Sequence, residues 1–251
     1  MELGEALGLL AAAAGASVVN AVAGGGSLIS FPALLMAGYP AKTANVTNTI
    51  AIWPGTVGGS LGYRKELSGQ RLRLATLLVP SIGGAITGSA ILLSTPESAF
   101  DAVVPFLIIF ACVVMALQDR LSRFPAGDTA EGDSRAPLAL QLVIFVTAIY
   151  GAYFGAGFGI ITLAMLGVLV SDNIQNLNAL KGMLSSIVNA VAFVYFAFFG
   201  PVEWGPALVM AGGALAGGYF GAMVARRLPR NAIRILVVVY GLVIAGVLLA
   251  T

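Results

Sequence analysis

"AVAGGGSLISFP", residues 21–32, interrupts an apolar run long enough to cross a bilayer. Three consecutive glycines, Gly24, Gly25 and Gly26, are poor helix formers, and Ser27 follows them at once. A membrane tolerates broken backbone at depth only where it is buried in protein or lines a cavity. The break therefore needs a purpose, and the rest of the chain supplies one.

The chain has 251 residues, 59% hydrophobic and 10% charged, with a mean hydropathy of +0.95. A soluble domain carries about 25% charged residues, so this composition is that of an integral membrane protein whose main partner is the lipid bilayer. Lipid leaves unpaired backbone groups no partner, so the apolar stretches read as helices. In the first half they run over 3–22, 27–38, 43–62, 74–94 and 99–118. In the second they run over 138–155, 158–170, 176–199, 205–225 and 232–250. The expected fold is all-α and polytopic, with about 8–10 membrane helical segments, some broken or re-entrant. Glu2 and Glu5 replace the basic region a cleaved leader needs, so the first helix is expected to be retained.

The chain aligns with itself at a constant offset. Gly24 and Gly157, Gly26 and Gly159, Asn45 and Asn178, Gly84 and Gly217, Gly88 and Gly221, and Pro96 and Pro229 all lie 133 residues apart. Residues 1–118 and 138–251 are accordingly two membrane repeats joined by a linker, 119–137, whose centre is the polar "GDTAEGDSR" at 127–135. Charge orients them. Arg64, Lys65, Arg71 and Arg73 lie between the third and fourth stretches of the first repeat. Arg226, Arg227, Arg230 and Arg234 lie between the fourth and fifth of the second. Basic loops face the cytoplasm, so the repeats are expected to be inverted, as in secondary transporters. The second stretch, 12 residues or about 18 Å of helix, is too short to span. The first two stretches form either a re-entrant hairpin or a distorted crossing.

A break at Gly24–Gly26 exposes the N-terminal amides of a half-helix, with partial positive charge. Ser27 can cap it, and glycines let a ligand approach the backbone. "YFGAGFGIIT" offers Gly157 and Gly159 at the matching place. Two opposed half-helix starts would make an anion site. On this reading alanine at Gly25 or Gly26 favours continuous helix and leaves stability equal or higher. The glycine pairs Gly84/Gly88 and Gly213/Gly217, with their GxxxG spacing, read as packing.

Asn45, Asn48 and Thr49 lie on one helical face, within "AKTANVTNTIAIWPG" (41–55). The repeat places Asn178 opposite Asn45 and Lys181 opposite Asn48. An intramembrane lysine marks a functional site by default. Snorkelling to the interface is the alternative for Lys181, and helix tying the alternative for the asparagines. Ser185, Ser186 and Asn189 continue the polar face. Pro54 reads as a kink or hinge.

The chain has no histidine and one cysteine, Cys112. This excludes a Ser-His protease, an HExxH zinc site and a CxxC redox site. No carboxylate falls mid-stretch, so a central acidic proton relay has no support. No nucleophile–base pair is visible, and neither enzyme activity nor a cofactor or metal is expected. A net charge of +2 does not suggest nucleic acid. A passive anion channel is the alternative to a transporter, and a homodimer is compatible with either.

At these residues the chain resembles the sulfite exporter TauE/SafE family, also called the TSUP family of anion permeases. "GGGSLISFPALL" (24–35) and "ANVTNTIAIWPG" (44–55) carry the resemblance, with "GAGFG" and "NALKG" in the second half. The resemblance implies transport of sulfite, sulfoacetate, related organosulfonates or small carboxylates across a prokaryotic cytoplasmic membrane. It points to Gly24, Gly25, Gly26, Ser27, Asn45 and Asn48 as family-like positions. Phe158 interrupts the second glycine run, so Gly157 and Gly159 match less fully.

Overall fold

The computed structural model describes residues 2–22, 24–61, 67–121, 136–224 and 230–250. Arg64, Lys65, Arg226, Arg227, Pro229 and the 127–135 linker lie outside the described residues. Those described are helical, with no strand among them. In the first half the long helices are α1 (Leu3–Val22), α2 (Ser27–Met36), α3 (Ala41–Leu61), α4 (Arg71–Ser94) and α5 (Glu97–Ala116). In the second they are α6 (Leu138–Tyr153), α7 (Phe158–Leu169), α8 (Ile174–Phe199), α9 (Trp204–Val224) and α10 (Arg230–Ala250). Five described helices are long and apolar enough to cross a membrane. The protein is polytopic and all-α.

The short second helix of each half turns back beside the first. α2 has 10 residues, about 15 Å, and a β-carbon at Gly26 would overlap the Ala16 carbonyl. A continuous helix would hold residues 16 and 26 about 15 Å apart, so the chain reverses at the glycines. The Tyr39 hydroxyl donates to the Glu5 carboxylate at 2.8 Å, closing the mouth of this hairpin. α7 has 12 residues and returns along α6 in the same way. Gly151 packs on the Phe158 ring, and the Tyr150 hydroxyl donates to the Ala156 carbonyl at 2.6 Å. At its mouth Ala136 and Leu140 share an apolar cluster with Val170, Leu177 and Leu77.

The two mouths lie at opposite ends of α4, a helix of 24 residues and about 36 Å. Beside the first, the Lys42 ammonium donates to the carbonyls of Leu93 and Thr95, where α4 ends. Beside the second, Asp172 accepts from Arg73 at 3.0 Å and from Gln70, where α4 begins. The hairpins thus enter from opposite faces and meet inside.

The halves are not separate bodies. α1 packs on α9 as α6 packs on α4, and α3 on α9 as α8 on α4. α3 crosses α8, and α5 packs against α10. Exchanging the halves carries each of these pairings onto another or onto itself. The glycine seams have the packing role expected of them. β-Carbons at Gly84 and Gly88 would overlap the Phe145 and Ile149 carbonyls, and at Gly213 and Gly217 those of Leu10 and Ala14. Backbones that close bring helices into van der Waals contact without side chains between them.

Candidate functional site

A cavity of about 190 Å³ lies where the two hairpin tips meet the α3–α8 crossing. The first break contributes Gly24, Gly25 and Ser27, and the second contributes Phe154, Gly155, Gly157 and Gly159. α3 presents Thr49, Ile52, Gly55 and Thr56, and α8 presents Asn178, Lys181, Gly182, Ser185 and Asn189. α1 adds Ser17 and Asn20. Four pairs in the lining stand 133 residues apart in the sequence: Gly24 and Gly157, Thr49 and Gly182, Ile52 and Ser185, and Thr56 and Asn189.

The breaks are built by glycine. Gly24, Gly25, Gly155 and Gly157 take φ of +73°, +82°, +80° and +77°, a left-handed region that costs other residues roughly 1–2 kcal/mol. They turn the chain and leave backbone bare to the cavity. Neither half-helix has a side-chain cap: Gly26 is the N-cap of α2 and Gly157 that of α7. The expectation that Ser27 caps α2 is therefore corrected. Ser27 is the first helical residue and faces the cavity. The Leu28 and Ile29 amides of α2 turn back on the Gly25 and Gly26 carbonyls, and the Phe158 and Ile160 amides of α7 on those of Gly155 and Gly157, so the Ser27 and Gly159 amides are the ones left to a ligand.

Among the described residues, Lys181 is the one ionisable side chain in the lining. Its ammonium donates to Asn178 Oδ1 at 3.4 Å. The described ion pairs are Arg73–Asp172 and Arg234–Asp119, so no described carboxylate pairs with Lys181. Gly159 lies beside the lysine stem, with room for a β-carbon 3.9 Å from Cδ. The hydroxyls of Ser17 and Ser185 are buried without a partner in the same lining. They are donors waiting for an acceptor.

Of the expected site residues, Gly24, Gly25, Ser27, Thr49, Gly157, Gly159, Asn178 and Lys181 line this cavity. Gly26, Asn45 and Asn48 do not. Gly26 takes an ordinary helical φ of −56° and is buried on the Ala16 carbonyl. It is a packing glycine, so alanine there clashes instead of stabilising, and alanine at Gly25 meets a left-handed φ. Asn45 is buried against α6, its amide donating to the Tyr153 carbonyl at 2.9 Å. Asn48 is buried as well. Both sit beside the cavity through Thr49, whose hydroxyl donates to the Asn45 carbonyl at 2.9 Å.

Ser17 and Asn20 were not anticipated. They lie three residues apart on one face of α1, and that spacing was the available signal. Among the described residues no group of three or more His, Cys, Asp or Glu could hold a metal.

The sulfite exporter TauE/SafE family model matches residues 9–248. The chain is 28% identical over 249 residues to a probable membrane transporter protein, ORF9, of a Sinorhizobium species, covering 96% of this chain and 91% of the relative. It is 27% identical over 225 residues to a probable membrane transporter protein of Haemophilus influenzae, covering 89% and 86%. It is 24% identical over 238 residues to the probable membrane transporter protein YfcA of Escherichia coli K12, covering 93% and 86%. No solved structure matches. A polytopic helical fold around a buried polar cavity, with a family match spanning nearly the whole chain, makes this a membrane transporter of the sulfite exporter TauE/SafE family rather than an enzyme.

Proposed function

We propose that this protein moves a small sulfur-containing or carboxylate anion, such as sulfite, sulfoacetate or a related organosulfonate, by alternating access across a prokaryotic cytoplasmic membrane. The observation that carries the reading is Lys181: among the described residues, a single cation with no carboxylate partner, in a cavity faced by two half-helix starts. Each start adds about half a positive charge. An oxyanion entering the cavity meets that field, the Lys181 ammonium and the free hydroxyls of Ser17 and Ser185. These groups offset the cost of removing its charge from water. About 190 Å³ is room for roughly six waters at about 30 Å³ each. That accommodates an oxyanion head with a short organic tail.

An inverted repeat explains how such a site reaches both faces. The hairpins open at opposite ends of α4, and the pairings exchange between halves. Rocking one repeat against the other would open the cavity first along one hairpin and then along the other. The test is uptake by proteoliposomes, with a binding screen of sulfite, sulfate, sulfoacetate, taurine and small carboxylates. Saturable uptake accelerated by substrate on the far side is expected. Flux that never saturates would make the protein a channel, and failure to bind any anion in the screen would overturn the site.

A further inference from the structure

Two amide oxygens in the described core lack donors. Oδ1 of Asn45 and Oδ1 of Asn48 are buried and unpartnered, in side chains only 1% and 2% exposed. A buried polar atom without a partner is costly and calls for an explanation. The two residues lie three apart on α3 and so neighbour each other on one face. The Asn45 amide nitrogen is already committed to the Tyr153 carbonyl at 2.9 Å. That bond holds Asn45, with Asn48 one turn along α3, at the C-terminal end of α6, where outward-pointing carbonyls and the helix dipole make the surroundings negative.

The second half shows what partner such an oxygen takes. Asn178 and Lys181 occupy the same two positions 133 residues on. There the asparagine Oδ1 receives the lysine ammonium at 3.4 Å. In the first half Asn48 replaces that lysine. The exchange removes a positive charge and adds a second acceptor. What the first half lacks is a cation.

We propose that the first half binds a monovalent cation of the sodium class between Asn45 and Asn48 of α3 and the C-terminal end of α6, in the position that Lys181 fills with its own ammonium in the second half. Neutral oxygens with no carboxylate suit a singly charged hard ion, whereas calcium and magnesium sites use carboxylates. Soft and borderline metals favour sulfur or imidazole, and the chain has no histidine. The second break serves both sites. Its α6 end faces Asn45, and its α7 start, with Gly157 and Gly159, faces the anion cavity. Half-helix C-terminal ends take cations in transporters as N-terminal ends take anions. Occupying the cation site braces the same segment that the anion contacts, which couples the two ligands.

The cation site is read without any transported anion, so its failure is separate from failure of the anion reading. Purified full-length protein is melted in sodium, potassium and choline chloride at equal ionic strength. Saturating sodium should raise the melting temperature by about 5 °C over choline. Asn48→Leu and Asn45→Leu should each abolish the rise. Asn48→Lys should melt at a temperature independent of sodium, since it carries its own cation. If either leucine variant fails to fold, the wild-type titration and Asn48→Lys decide. Equal melting in all three salts would leave the acceptors to water and overturn the proposal. So would a sodium response that survives in Asn48→Lys.

Discussion

The two halves of the chain carry helices in the same order and differ in what stands at positions 133 residues apart. Asn48 is matched by Lys181, Ile52 by Ser185, Thr56 by Asn189 and Gly26 by Gly159. In the first half the 48 position is buried away from the cavity and uncharged. In the second it carries the one ionisable group that the described residues give the cavity. Gly26 is pressed on a backbone carbonyl, whereas Gly159 stands open beside the lysine. The mouths differ too. Tyr39 closes one against Glu5 of its own hairpin, whereas Asp172, 133 residues on, ties the other to Arg73 and Gln70 where α4 begins. Two hairpin tips thus frame one cavity, while the charge its described lining carries lies on one side alone.

The comparison breaks most decisively on topology, where the outcome is all or none. On a cysteine-free background, cysteines at positions 68 and 230 should react only from the cytoplasm. Those at 97 and 203 should react only from outside. Labelling of 68 and 203 from one side would remove the inversion on which the comparison stands.

The paired glycines sharpen it next. Gly26→Ala drives a methyl into the Ala16 carbonyl and should cost about 1–3 kcal/mol, seen as a melting point several degrees lower. Gly159→Ala meets only the Lys181 stem at 3.9 Å and lies within α7. It should hold or raise stability, by up to about 1 kcal/mol, while lowering anion affinity. Equal melting of the two variants would mean the breaks are alike after all.

The smallest effects belong to the mouths. Burial alone would raise the Asp172 carboxyl, but hydrogen bonds from Asn176, Gln70, the Asn173 amide and Arg73 outweigh it and hold the group below its usual range. A lowered native value means its stabilisation is full above about pH 4 and is lost as pH falls through that lower value. Tyr39 behaves in the opposite sense. Burial, then the Glu5 hydrogen bond and the charges of Glu5 and Glu203, pushes its hydroxyl up to about 12. Its stabilisation is full below about pH 10 and is lost as pH rises through about 12. Asp172→Asn should therefore flatten the acid limb of a melting-temperature profile, and Tyr39→Phe the alkaline limb.

Helix boundaries were legible to within about three residues, because a bilayer admits little else for an apolar stretch. The 133-residue offset was equally plain. Length alone left hairpin and crossing open, and Gly26 against Ala16 with Tyr39 against Glu5 resolves them in favour of the hairpin. The site was legible in part. Three consecutive glycines read alike in sequence, yet φ of +73° and +82° at Gly24 and Gly25 and −56° at Gly26 give them different work. Helical spacing says that Asn45 and Asn48 share a face but not which neighbour that face meets. α3 packs against α8, α9, α2, α1 and α5, and only the folded chain shows the Asn45 amide turned to the Tyr153 carbonyl. Ser17 and Asn20 are two small polar residues in an otherwise apolar span, and only the fold turns them to the cavity.

The central claim is that charge in one half holds the anion, and Lys181 tests it most directly. Anion affinity and melting temperature would be measured on the same purified Lys181→Met and Lys181→Arg proteins, using the tightest ligand from the screen. A charged hydrogen bond is worth about 1.5–3 kcal/mol. Lys181→Met should therefore bind about 10- to 100-fold more weakly with its fold intact, and Lys181→Arg should lose far less. A Lys181→Met protein that binds and transports as the parent does would contradict the account and leave the lysine a bystander in the cavity wall.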